Sequence, residues 1–243
     1  MIGKAIGTIF VVLTALAAPA SAQEVPASVP DYSFSGLTGA LWNAGLSDLN
    51  DALTDAAYPE LQDLIALYGQ GTTLGSEDGL RVGFYLRTGE TSGTSGEDRT
   101  SRLLFTLGGA LVEWGRTLER GASMAFGLAL GGGTSTLTLV DHTPESFDDA
   151  LAEPFRTELA RWIYSVTPSV SAHERPLDGF DLKLRVGYLF TIGCHWTANA
   201  TPLSRQPALA GGPIVEASFA IDLRAVLAGW SDETSAPPEE ARD

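Results

Sequence analysis

The stretch from Phe180 to Ile192 constrains this chain most. Phe180, Leu182, Leu184, Val186, Tyr188, Phe190 and Ile192 alternate with a second set that includes Asp181, Lys183, Arg185 and Gly187. A period of two puts successive side chains on opposite faces of an extended strand. One face is apolar and the other charged, so the strand belongs to a sheet with two unlike sides. The period recurs upstream. Leu80, Val82, Phe84 and Leu86 alternate with Arg81, Gly83, Tyr85 and Arg87. A second strand covers about 101–115 and puts Leu103, Phe105 and Leu107 on one side. A third, about 122–140, begins with Met124, Phe126, Leu128 and Leu130 on one face. After Gly131-Gly132-Gly133 the phase flips to Leu137 and Leu139, which predicts a β-bulge or corner at the glycines. A fourth runs through Trp162, Tyr164, Val166 and Val170, where Pro168 predicts an edge or a bulge. A last strand, about 213–226, sets Val215, Ala217, Phe219, Ile221 and Leu223 against Glu216, Ser218, Asp222 and Arg224.

The expected fold is mainly β: an antiparallel up-and-down meander of about six long strands over residues 80–226, barrel-like, with an N-terminal helical segment. That segment is 34–70. Leu37 and Leu41 fall four apart, Gly45 stops a first helix, and Ser47 caps a second carrying Leu49 and Leu53. Pro59 opens a third, with Leu61, Leu64, Ile65 and Tyr68 on one side. The connections alternate in length. The turns near 116–121 and 173–179 are short, while the links 88–100, 141–160 and 194–212 are longer. A meander therefore collects the long loops at one end.

In this alternation and loop rhythm, residues 80–226 resemble an outer-membrane-type β-barrel. The resemblance implies short turns at one membrane face, long loops at the other, and a lipid-facing apolar wall. Closure would bring Arg81 and Arg87 of the first strand to Glu216 and Asp222 of the last. An open sheet, its apolar face covered by the helices of 34–70, satisfies the same alternation.

The N-terminus gives an address. Met1-Ile2-Gly3-Lys4 precedes an apolar run to about Ala17, and Ala20-Ser21-Ala22 supplies small residues before Gln23. Residues 1–22 thus read as a cleavable secretory signal peptide. Residues 23–33 read as a flexible lead, and 231–243 as a disordered acidic tail. Removing Lys4 takes the net charge from −15 to −16. Such acidity excludes nucleic acid and anionic membrane surfaces as partners, because both need clustered Lys and Arg. The expected location is exported: the outer membrane, or the periplasm or extracellular space, with outer-membrane lipid as the expected partner.

No motif for catalysis stands out. Gly69-Gln70-Gly71-Thr72-Thr73-Leu74-Gly75 is expected to be a flexible connector, since a dinucleotide loop follows a strand and opens a helix. Asp141, His142, Cys194 and His195 lie at the long-loop end, without the spacing of a metal motif. His173-Glu174 is expected in a solvated turn. Glu90, Glu97, Asp98, Asp148 and Asp149 read as a solvated acidic rim. Trp114, Trp162, Tyr188 and Phe190 fit either membrane interfaces or core packing. No catalytic, cofactor-binding or metal residue is assigned, no cofactor is expected, and the chain is not expected to be an enzyme. Two readings stand: a non-enzymatic outer-membrane-type barrel or structural envelope protein, and a soluble exported module binding an apolar ligand or lipid.

Overall fold

A computed structural model of the chain describes residues 32–94, 99–118, 122–142, 156–177, 179–198, 200–203 and 211–221. The signal peptide, most of the lead, residues 143–155 of the 141–160 link, residues 222–226 of the last strand and the acidic tail lie outside the described residues. The elements are β1 (Tyr32–Asn43), α1 (Ser47–Asp55), β2 (Leu64–Gly75), β3 (Gly79–Thr94), β4 (Thr100–Thr117), β5 (Ser123–Val140), β6 (Arg156–Leu177), β7 (Phe180–Gly193), β8 (Thr197–Ala198), β9 (Thr201–Pro202) and β10 (Gly212–Ile221). All strand pairs are antiparallel. Each long strand pairs with its neighbours in sequence, and β10 pairs with both β7 and β1. The eight long strands therefore form a barrel-like ring of hydrogen bonds, and β8–β9 hangs from β6 as a small hairpin.

The register fixes the stagger of the ring. From Gly89 the ladder passes through Leu67, Ala40, Glu216, Arg185, Ser171, Ala125 and Gly115, and re-enters β3 at Gly79. One circuit is thus displaced by 10 residues (89 to 79) along β3. At ~3.3 Å per residue and ~4.8 Å between strands, that displacement tilts the strands by about 40°. The β2–β3, β4–β5 and β6–β7 turns are short and gather at one end, where β1 begins and β10 finishes. The longer connections, including α1, gather at the other.

The helical expectation for 34–70 is corrected. Only Ser47–Asp55 is helical, and the flanks are β1 and β2. A spacing of four, as in Leu37 and Leu41, is even, so it keeps both residues on one face of a strand as well as of a helix. Leu61, Leu64, Ile65 and Tyr68 looked like one helix face because the start of β2 is apolar on both sides. Ile65 is buried inside the ring, while Leu64 and Tyr68 are on the outer wall. The count of long strands accordingly rises from six to eight. Leu46 occupies the helix N-cap position in place of Ser47, and its N–H is taken by Asp63 Oδ1 at 2.7 Å.

The glycine expectations are corrected too. Gly69, Gly71 and Gly75 belong to β2 and do not form a loop. The β4–β5 and β5–β6 ladders run through Gly131–Gly133 with no shift, so the bulge expected there does not exist. Pro168 lies in β6, paired to Leu128 on one side, and the ladder to β7 skips it without changing register. The irregularity in β6 falls between Glu174 and Leu177.

Close approach explains some of the glycines. A Cβ on Gly133 would collide with the Thr106 carbonyl of the neighbouring strand, and one on Gly131 with the Tyr85 hydroxyl. Tyr85 lies across this glycine floor, 3.4 Å from Ser165 Oγ. Gly131→Ala should therefore destabilise the fold by about 1–3 kcal/mol through overpacking. Adding Tyr85→Phe should recover part of that loss, as read from urea midpoints of the single and double variants.

Candidate functional site

The ring has two interior zones. In the half nearer the short turns, a charged cluster fills the interior beside Tyr32, Phe34 and Leu111. Glu113, on β4, accepts from Lys183 Nζ at 2.6 Å, Arg185 Nη2 at 3.0 Å and Ser171 Oγ at 3.4 Å. Glu216, on β10, accepts from Arg185 Nη1 at 2.7 Å and Ser218 Oγ at 3.3 Å, and it pairs with Arg87 of β3. Arg185 thus bridges two carboxylates, and all five ionic groups are buried. The expected meeting of Arg87 with Glu216 is realised. Arg81 instead donates to the carbonyls of Ser76 and Glu77 and to Ser123 Oγ, with its guanidinium over the Tyr32 ring. Its expected partner Asp222 lies outside the described residues.

His173 is corrected from solvated turn to interior. It sits in β6, is 7% exposed, and lies 2.9 Å from Asp181 Oδ1. The rings of Tyr32 and Phe34 meet it edge-on. Asp181 also accepts from Arg175 Nε at 3.0 Å.

In the half nearer the long loops, inward positions are mainly apolar, with Ser101, Ser135 and Arg161, its guanidinium over the Trp196 ring, among them. Trp42, Ile65, Leu67, Leu103, Phe105, Leu107, Ile163 and Leu189 form one cluster, with Trp42 and Phe105 edge-to-face at 5.0 Å. The segment 44–63 closes this end and adds Leu46, Leu49, Leu53 and Leu61 to the cluster. Side-chain bonds pin it. Asn50 exchanges two bonds with the Leu61 backbone, and Thr91 Oγ1 exchanges two with Gln62. Ser101 donates to the Pro59 carbonyl, and Tyr58 to Asp141 Oδ1 at 2.7 Å. Burial, and then that bond, push the Tyr58 hydroxyl above its ordinary value. The segment is a fastened cover. Trp42→Ala should cost about 3–5 kcal/mol, because the fully buried indole leaves a cavity that a closed ring cannot collapse around; chemical unfolding measures it.

The outer wall is the mirror image. Over the polar interior zone, outward residues are apolar and exposed: Leu80, Val82, Phe84 and Leu86 on β3, Met124, Phe126, Leu128 and Leu130 on β5, and Leu184, Val186 and Phe190 on β7. Over the apolar interior zone, β3 turns outward Thr88 and Glu90, β4 Thr106, Leu104 and Arg102, and β5 Thr134, Thr136 and Thr138, while β2 and β7 keep Leu64 and Ile192 outward. The phase flip at Gly131–Gly133 is thus a change of surroundings, with the backbone alternation unbroken. Tyr164, Trp162, Tyr188 and Phe190 are exposed toward the upper margin of the belt, and Trp114 toward the lower. At this tilt the run from Leu80 to Leu86, or from Met124 to Leu130, rises about 15 Å, and that from Leu184 to Ile192 about 20 Å.

The loop-end candidates do not assemble into a metal centre. Cys194 is exposed. Asp141 meets Tyr58 and, at 3.8 Å, Arg99. No group of three or more His, Cys, Asp or Glu among the described residues is placed to hold a metal ion. Glu90 pairs with Arg102, whereas Glu97, Asp98, Asp148 and Asp149 lie outside the described residues. The ionic cluster escaped the sequence reading as a unit. Its signal was the inward parity shared by Glu113, Lys183, Arg185 and Glu216.

No protein-family model matches the chain, and no curated protein matches it.

Proposed function

We propose that this protein is a non-enzymatic cell-envelope barrel of the outer-membrane type, exported through residues 1–22, with its apolar belt in contact with lipid. The observation that carries the reading is the exchange of polarity between wall and interior. Burying charge is costly, so a water-facing ring would turn Glu113, Lys183, Arg185 and Glu216 outward and Leu128, Val186 and Phe219 inward. A ring in hydrocarbon does the reverse, and closure leaves no strand edge unpaired in lipid. On β3, β4 and β5 the boundary falls at Thr88, Thr106 and Thr134, beyond which the wall is mainly polar and the core mainly apolar, as suits a part in water. By the usual organisation of such barrels the short turns face the periplasm and the covered end faces out.

The interior favours a structural or adhesive role over conduction. The charged zone is paired, the apolar zone is packed, and the cavity beside Arg185 and Ser218 is about 10 Å³, room for roughly one water. The alternative of an apolar ligand held between sheet and helical cover finds that space occupied by Trp42, Phe105, Leu49 and Leu53. Fractionation of a tagged mature chain tests the proposal. Recovery with the outer membrane, and a folded band that shifts on boiling, are expected; a monodisperse form without detergent would sink it.

A further inference from the structure

The apolar belt is broken in one place. On β2 the outward residues run Tyr68, Gln70, Thr72, Leu74. Thr72 faces Ser35 of β1, their hydroxyls 3.0 Å apart, and Gln70 pairs with Leu37 on one side and Leu86 on the other. Three polar side chains therefore lie within the belt, bordered by Leu37, Tyr68, Leu74 and Leu86, with Ser33 next below Ser35 on β1. Elsewhere at this level β3, β5 and β7 carry only Phe84, Leu86, Leu128, Leu130, Leu184 and Val186 outward. Hydroxyls and amides in hydrocarbon are unfavourable unless they are hydrogen-bonded, and lipid chains offer no donor or acceptor.

We propose that the wall formed by β10, β1, β2 and β3 docks a second copy of this chain, with Gln70, Thr72 and Ser35 bonding to the same residues of that copy. The inference rests on the membrane-embedded reading above. Two observations select this occupant. Amide and hydroxyl groups each donate and accept, so each complements its own copy across a two-fold axis along the membrane normal, where like residues meet at like depth. The surface also suffices in size and shape. An open groove of about 1180 Å³ begins on this wall at Ser35, Gln70 and Phe84 and continues past Gly108 and Gly132 to Trp162. Tyr68, Phe84 and Phe219 are 63%, 56% and 43% exposed. At ~150–250 Å² per aromatic they alone offer about 300 Å². Leu37, Leu41, Leu86 and Ile221, each about half exposed, bring the patch toward the ~800 Å² that one partner gives a standard interface.

Gly39 supplies the reporter, since it is outward, pairs with Tyr68, and a Cβ there meets nothing within 4 Å. In a Cys194→Ser background, Gly39→Cys and, on the β5 wall, Leu128→Cys are folded, placed in phosphatidylcholine vesicles and treated with a short thiol cross-linker. A band of doubled mass is expected for Gly39→Cys and only monomer for Leu128→Cys. Sedimentation equilibrium in detergent should show Gln70→Leu raising the dimer dissociation constant about tenfold with no fall in the urea midpoint. Equal cross-linking at both sites, or none at either, in vesicle-inserted and heat-modifiable protein overturns the inference and leaves the membrane reading standing. So does a fallen midpoint with unchanged dissociation. Protein that stays in the aqueous phase removes the membrane reading, and the inference with it.

Discussion

Glu113→Ala is expected to lower stability by about 3–5 kcal/mol, the typical effect of removing one partner from a buried ion pair. Glu113 takes hydrogen bonds from both Lys183 and Arg185 and is fully enclosed. Its loss leaves Lys183 without a carboxylate partner in the cluster, while Arg185 keeps Glu216. The loss reflects the stranded cation more than the worth of the pair. Replacing both members, as in Glu113→Leu with Lys183→Met, should therefore recover most of it. Urea midpoints of the refolded single and double variants measure this. Equal losses for the single and double variants would mean that the cluster contributes through packing and not through charge pairing.

An arginine carried up the outer wall should report depth with an equally large effect. Leu128→Arg and Val186→Arg, in the middle of the belt, are expected to cost about 2–4 kcal/mol in a bilayer. Thr136→Arg, above the boundary, should cost about 0–1 kcal/mol. On a water-facing wall all three would lie within about 0.5 kcal/mol of the parent, as exposed substitutions do. Equilibrium unfolding from vesicles gives the three values, and their order is the test.

The sequence made β3 and β7 legible because their outward faces are apolar and their inward faces charged, so the period of two is plain. It misled where a strand crosses from one interior zone to the other. On β5 the apolar set changes sides at Gly131–Gly133 although the strand does not bend out of register. At the start of β2 both faces are apolar, and the alternation disappears. β1 hides for another reason: its outward Leu37 and Leu41 are separated by Gly39, and its inward Thr38 and Ala40 are small or polar. Ring closure was legible only as a conditional pairing of Arg87 with Glu216. Which of many acids enters the interior depends on parity counted from a correct register. His173 shows the cost of misplacing a boundary, because moving the β6 end by a few residues turned an interior group into a solvated one.

The proposed membrane reading puts the change from lipid to water partway up β3, β4 and β5. Single cysteines at Met124, Leu128, Thr134 and Thr138 of β5, in a Cys194→Ser background, carry an environment-sensitive fluorophore outward in reconstituted vesicles. Quenching by brominated lipid is expected at positions 124 and 128, and by aqueous iodide at 134 and 138. Iodide quenching at all four positions, with no response to brominated lipid, would contradict it.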